Sequence, residues 1–376
     1  MNNRLLSHLE NNKLLPNSQH GFRKNRSTET ALAITTEIIA QALSHHHQCS
    51  VVLRDVSKAF DKVWHDGLRY KLHQCNIPPP FTRILSNFLI NRKAYISLPT
   101  HNGQSFNIYS GVPQGSSLSP TLYTIYTADT PQPAHNAYHV MYADDITQIV
   151  IQPGKSRKFL AKKLEREITN INNFEHKWKI QTNTNKFTII PIAMRKTEPV
   201  TINNTHIPYS YSGKILGLHI NFRGFSQHIK AMRTKSTAAL SNLFRFKALP
   251  PKIKLHLIKA YILPMLTYPT YTLNAISRSQ QLSLQRIQNK SLRFALDTYP
   301  YTKTTEELHS EGKIAPINIT LYNRGNKIKN KILNTIQDDI YTHIHNTYRD
   351  TSSHGWFKKP LNTLNNAPPQ PIFTSL

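Results

Sequence analysis

The stretch His139–Ile151, HVMYADDITQIVI, sets two adjacent carboxylates, Asp144 and Asp145, between two arms rich in β-branched and aromatic residues. Such arms around a short Ala143-Asp144-Asp145 centre predict a β-hairpin rather than a helix. Like charges at its tip are costly in apolar surroundings, because repulsion and desolvation both oppose ionisation. A bound cation removes that penalty. Magnesium suits the position, since it takes one or two carboxylates together with substrate phosphates. An Asp-Asp pair alone is also a common surface turn, so the flanking segments decide its meaning.

Upstream, SVVLRDV (Ser50–Val56) is a valine-rich apolar run that predicts a buried strand with Asp55 at its C-terminal end. Strand alternation turns Arg54 away from Asp55 and into the core, where it needs an acid or a route to solvent. Before this strand, STETALAITTEIIAQAL (Ser27–Leu43) predicts a helix with Ser27 as N-cap and Ala31, Ile34, Ile38 and Ala42 on one face. After it, SKAFDKVWHDGLRYKL (Ser57–Leu72) returns to helical spacing, which would put Asp61 and His65 on one face as a helix-stabilising contact. Downstream of the hairpin, a helix is expected from Lys158 to Lys177, then strands in FTIIPI and KILGLHI. This order describes an α+β sheet with helices on one face.

Lysine and arginine number 47 against 20 for aspartate and glutamate, a formal charge of +27 over 376 residues. A basic surface of that size implies an anionic partner, and nucleic acid is favoured because phosphate contacts release counterions. The apolar runs fall short of a spanning helix and the opening residues lack the h-region of a signal peptide. An intracellular protein, nuclear or cytoplasmic and not secreted, with no membrane partner, is therefore expected. Cys49 and Cys75 are too few for a disulfide framework or a cysteine-ligated zinc site. From about Ser226 the chain becomes helical. In SLQRIQNKSLRFAL (Ser283–Leu296), Leu284, Ile287, Ser291, Leu292 and Ala295 oppose Arg286, Lys290 and Arg293, a basic face suited to following a phosphate backbone. Beyond Gly355, prolines among asparagines predict a frayed tail.

Six segments in order resemble the reverse transcriptases of non-LTR (LINE-type, jockey-like) retrotransposons: QHGFRKNRSTETAL (Gln19–Leu32), DVSKAFDKVWH (Asp55–His65), GVPQGSSLSP (Gly111–Pro120), MYADD (Met141–Asp145), NTNK (Asn183–Lys186) and LGLHI (Leu216–Ile220). The resemblance implies a right-hand polymerase fold: partial fingers and a palm sheet with a YADD hairpin over 1–225, a helical thumb over 226–300, and a helical extension over 301–354 before the tail at 355–376. It implies that Asp55, Asp144 and Asp145 are catalytic and hold two Mg2+ ions, replaceable by Mn2+. Phe60 falls where the family has an aromatic gate against a 2′-hydroxyl. Gln114 and Gly115 match a loop along the nucleotide, Arg23 and Arg26 would touch template or triphosphate, and Lys186 would protonate leaving pyrophosphate. The implied function is RNA-directed DNA polymerase, with an RNA template, a DNA primer and dNTPs as partners. Its alternative is an inactive, basic nucleic-acid-binding remnant. Arg54 and Phe187 depart from the family pattern, and the family's endonuclease and further fingers are expected upstream, as in an amino-terminally truncated copy.

Overall fold

Helix α1 (Asn2–Asn11) buries Leu5 and Leu9, and Ser27 caps helix α2 (Thr28–Ser44) by accepting the Thr30 amide, while the Thr30 hydroxyl accepts from the Ser27 amide. The structure is a computed structural model that describes residues 1–54, 56–97, 103–182, 187–299, 302–347 and 359–373. Ala31, Ile34, Ile38 and Ala42 are buried as their spacing predicts, and the opposite side of α2 is buried as well, Glu37 included. A helix enclosed all round lies between layers. Here a sheet covers one side and C-terminal helices the other.

Strand β1 (Gln48–Arg54) follows, then helices α3 (His65–Gln74) and α4 (Pro79–Leu89), a short hairpin of β2 (Arg92–Ala94) and β3 (Phe106–Ile108), and helix α5 (Ser119–Tyr126). The predicted hairpin is present as β4 (Ala137–Tyr142) and β5 (Asp145–Gln152), followed by helix α6 (Arg157–Lys177) and β6 (Thr188–Ile192). These strands form one antiparallel sheet in the order β4-β5-β1-β6, with Val51 opposite both Ile149 and Ile190. Alternation divides the sheet's side chains between two cores. Val51, Val140, Ile149 and Ile190 pack with α2; Val52, Val150 and Ile189 pack with Leu160, Leu164 and Ile168 of α6. The sheet is thus covered on both faces, which corrects the one-sided arrangement expected from element order.

Two further expectations are revised here. Residues 57–62 form turns, with Lys58 at φ 51°, and helix begins only at His65, so Asp61 and His65 do not share a helix face. KILGLHI is not one strand. After the pair β7 (Val200–Ile202) and β8 (Thr205–Ile207), it supplies the hairpin of β9 (Ser212–Ile215) and β10 (Leu218–Asn221). Its turn residues Leu216 and Gly217 both have positive φ, as a two-residue hairpin requires, and the Tyr268 hydroxyl donates to the Leu216 carbonyl at 2.5 Å.

The remainder is helical: α7 (Ser226–Leu243), α8 (Pro251–Leu257), α9 (Leu263–Thr267), α10 (Arg278–Ala295), α11 (Thr305–Gly312), α12 (Ile317–Lys331), α13 (Asp339–Asn346) and α14 (Pro360–Leu364). Ile229, Met232, Leu284, Leu292 and Leu308 share a second large core. The frayed tail expected from Gly355 is corrected for residues 359–373. Pro360 starts α14, Leu361 and Leu364 are buried, and Asn318 bonds the Gln370 carbonyl at 2.7 Å. No helix among the described residues is long and apolar enough to cross a membrane.

Candidate active site

The two-residue link between β4 and β5 consists of Ala143 and Asp144, with Tyr142 paired to Asp145. Ala143 adopts φ 57°, a left-handed conformation that costs a residue with a Cβ about 1–2 kcal/mol. The side chain of Gln19 holds it there. Gln19 Oε1 accepts the Ala143 amide at 2.9 Å and the Gly21 amide at 2.7 Å, while Gln19 Nε2 donates to the Ala143 carbonyl at 3.2 Å. Backbone bonds extend the contact, since the His20 amide donates to the Met141 carbonyl at 2.7 Å and the Met141 amide to Ser18 at 2.8 Å. A Cβ on Gly21 would stand 2.3 Å from the Ala143 nitrogen, so only glycine permits this approach. Gln19 was missed in the sequence. Its signal was there: an amide preceding a glycine in the first matching segment.

Asp144 is half-buried and Asp145 exposed. Behind them Tyr123 of α5 is buried, and its hydroxyl is raised above the usual phenol range by burial first and by the Asp144 charge next. The Phe60 ring lies 5.1 Å from Tyr123 and edge-on to Phe22 at 6.4 Å. Tyr123 thus packs against Phe60 and lies within the field of the Asp144 charge, a relation that spacing did not reveal.

The loop at Gly111–Gly115 is fastened to the turn at 57–62. The Gly111 amide donates to Val63 at 2.8 Å, the Val112 amide to Phe60 at 2.7 Å, and the Gly111 carbonyl accepts from His65 Nε2 and Arg92 Nη1, each at 2.8 Å. Gly111, at φ 82°, would drive a Cβ to 2.5 Å from the Asp61 carbonyl oxygen. Gly115, at φ 88°, faces open space, so its backbone is approachable from outside. Gln114 is exposed and donates to Asp61 Oδ1 at 2.8 Å. Asp61 orients a predicted site residue rather than stabilising a helix.

Arg54 does enter the core and finds an acid. It pairs with Glu175 of α6, donates to Asn172 Oδ1 at 2.7 Å, and lies 4.4 Å from the Phe187 ring centroid. Glu175 also accepts from the Thr182 hydroxyl at 2.9 Å. Burial lowers the Arg54 pKa and raises that of Glu175, and each partner's charge opposes the other's shift. The two departures from the family pattern thus form one unit, with the ring of Phe187 against the buried cation.

Of the remaining expected residues, Asp55 and Lys186 lie outside the described residues. Arg23 is turned inwards: it forms a two-pronged pair with Glu10 at 2.8 and 2.5 Å and donates to the Pro16 carbonyl at 2.7 Å. Those bonds engage the guanidinium with an acid and a carbonyl of the chain itself. Arg26 donates to the Asn17 carbonyl at 2.5 Å and borders a cavity of about 640 Å3 with Lys13 and Lys24. Its pKa is lowered to about 10 by burial and then by Arg23. On α10, Arg286 and Lys290 are exposed and Arg293 is half-buried. Arg286 lines a groove with Lys230 and Arg233 of α7, two cations the sequence reading did not single out.

Among the described residues no three His, Cys, Asp or Glu side chains are disposed to hold a metal. Asp144 and Asp145 nonetheless fit magnesium by donor chemistry, as adjacent hard oxygen ligands of which one is exposed.

Comparison with known proteins matches residues 1–220 to the family described as "Reverse transcriptase (RNA-dependent DNA polymerase)". The chain is 27% identical over 84% of its length to a probable RNA-directed DNA polymerase from transposon X-element of Drosophila melanogaster, covering 35% of that protein. It is 26% identical over 88% to the RNA-directed DNA polymerase from mobile element jockey of the same species, covering 37%. The chain thus spans about a third of the length of the curated relatives it matches. Among solved structures, apo telomerase from Candida tropicalis aligns at TM-score 0.43 and 12% identity, covering 91% of this chain and 60% of that one.

Proposed function

Because the chain belongs to the reverse transcriptase (RNA-dependent DNA polymerase) family, we propose that it acts as an RNA-directed DNA polymerase of a non-LTR retrotransposon. It would transfer nucleotides from dNTPs to a primer 3′-hydroxyl on an RNA template. The observation that carries the reading is the clamp on the turn that bears Asp144: Gln19 holds the Ala143 amide and carbonyl, and Gly21 alone permits that close approach.

Asp144 and Asp145, with Asp55, would hold two magnesium ions or their manganese substitutes, which neutralise charge on the attacking and leaving oxygens. The chain's own residues do the positioning, which is most of what phosphoryl transfer asks of a protein. Gly115 lets backbone approach the nucleotide, and Gln114, oriented by Asp61, borders the same space. Phe60, backed by Tyr123, is the ring against which a 2′-hydroxyl would clash. Arg26 and Lys186 are the cations assigned to phosphate, and Arg23 instead supports the loop that carries Arg26. The helical segment with Arg286, Lys290 and Arg293 serves as thumb, its groove widened in charge by Lys230 and Arg233. Action inside the cell, in nucleus or cytoplasm, follows from this reading.

Arg54, a departure from the family pattern, has Glu175 as its partner and so does not by itself favour an inactive remnant. The test is extension of a DNA primer annealed to RNA by the purified chain with dNTPs and magnesium. Extension that stops on chelation is expected, and Phe60→Val should admit ribonucleotides. Absence of extension while an intact relative extends the same substrate would refute the proposal.

A further inference from the structure

Position 54 carries a cation where a sheet interior favours an apolar residue, and one stripe of α6 receives it. Ile168, Asn172 and Glu175 follow one another at spacings of four and three along the helix. All three meet the Arg54 guanidinium: the Ile168 carbonyl at 3.5 Å, Asn172 Oδ1 at 2.7 Å and Glu175 Oε2 in a close ion pair. Across the sheet Arg54 is paired with Ile146, the residue after Asp145. The ion pair therefore stands at the end of the sheet that bears the acidic turn.

The same carboxylate oxygen reaches a second segment. Glu175 Oε2 also accepts the Thr182 hydroxyl at 2.9 Å. Thr182 forms an antiparallel bridge with Val56, beside which the Ser57 amide donates to the Gln181 carbonyl at 2.8 Å. Arg54 and Val56 are the two neighbours of Asp55 in the sequence. One buried side chain thus holds the chain on both sides of Asp55, through Arg54 directly and through Thr182 onto Val56. Stability alone does not call for this arrangement, because apolar residues of similar volume fill such a site as well as two ions do. What the ions and the hydroxyl add is direction, since charge-assisted hydrogen bonds fix orientation where apolar packing fixes only volume.

We infer that Glu175 is a positioning residue for the carboxylate at position 55: it holds residues 54 and 56 so that Asp55 can share a metal ion with Asp144. The inference rests on the polymerase reading for the identity of the site. It gives Arg54 and Thr182, which the resemblance left without a part in the reaction, the role of supporting the reaction centre. Removing a group behind a metal's ligands changes metal affinity by about 10- to 100-fold.

The test measures Mn2+ binding by the full chain without nucleotide, read from the loss of the free-ion electron paramagnetic resonance signal, so the readout does not depend on catalysis. Thr182→Val keeps the side-chain volume and deletes only the bond to Glu175. It should weaken Mn2+ binding about tenfold while its urea midpoint stays close to the parent's. Thr182→Ser keeps the hydroxyl and should bind like the parent. Arg54→Met/Glu175→Leu should recover stability yet bind Mn2+ as weakly as Thr182→Val, which separates positioning from packing. In an Asp144→Asn background Thr182→Val should add less than about twofold, because both changes act on one site. Parental Mn2+ affinity in both Thr182→Val and the double variant would overturn the inference. So would a tenfold loss that persists undiminished in the Asp144→Asn background, since the metal would then lie elsewhere. Weakened Mn2+ binding in these variants of a parent that extends no primer would uphold the inference and count against the polymerase reading alone.

Discussion

Replacing Glu175 with leucine isolates the most unusual feature of the sheet. In the parent, Arg54 is buried and its charge is met by Glu175, Asn172 and the Phe187 ring. Leucine removes the counter-charge and leaves the guanidinium with Asn172, more distant contacts to Gln148 and the Ile168 carbonyl at 3.5 Å, and the ring. Breaking a buried pair from one side costs about 3–5 kcal/mol, because the remaining ion keeps its desolvation penalty. Against a typical domain stability of about 5–15 kcal/mol, that loss moves a urea midpoint well outside error. The companion double variant Arg54→Met/Glu175→Leu deletes both ions and keeps apolar volume. It should recover most of the loss, since a buried pair is often matched by hydrophobic residues of similar size. Urea unfolding of the parent, both single variants and the double variant gives the coupling energy directly. A cost below about 1 kcal/mol for Glu175→Leu, or a double variant no more stable than that single one, would refute the account of Arg54 as a paired core cation.

Other consequences follow from the same contacts. Gln19→Leu leaves the Ala143 amide and carbonyl without their bonds, and each such loss costs about 1–3 kcal/mol; reduced stability together with a fall in primer extension is expected, and full activity in a folded variant would count against the clamp. Gly111→Ala meets the Asp61 backbone in a glycine-only conformation, so thermal unfolding should shift to lower temperature while Gly115→Ala, which meets no atom within 4 Å, shifts it less. The Glu37 carboxyl, enclosed by α2 and bonded to the Tyr271 hydroxyl and the Leu361 amide, is pushed up to about 7 by burial. Its folded pKa lies above the ordinary 4.5, so its contribution is full below that pH and disappears as pH rises through 7. The difference in stability between the parent and Glu37→Gln should change by roughly 3 kcal/mol across that interval, and a pH-independent difference would contradict the enclosure.

The sequence disclosed those features whose physics is local. The valine-rich run at Val51 and Val52 indicated a buried strand, and Ser27 marks a helix start by its capping chemistry. The hairpin that carries Asp144 and Asp145 was legible because its two arms are β-prone. Where long-range packing decides, local spacing misleads. Residues 57–62 have helical spacing but turn instead, because Gly111 and Val112 bind the backbone there. Leu216 lacks the usual turn chemistry, and Tyr268 from a distant segment supports it. The proline- and asparagine-rich tail hides two leucines that fill a space between α2 and α12, which composition could not reveal. Gln19 and Tyr123 escaped notice because a single amide or phenol has no periodicity, although each touches the acidic turn or feels its charge.

The proposed polymerase reaction centre is the clamped turn bearing Asp144. Single-nucleotide addition to a primed RNA template should be compared between the parent, Asp144→Asn and the exposed surface variant Asp66→Asn. About a hundredfold or greater loss is expected for Asp144→Asn, with Asp66→Asn close to the parent. An Asp144→Asn variant that adds nucleotide at the parental rate would contradict the assignment.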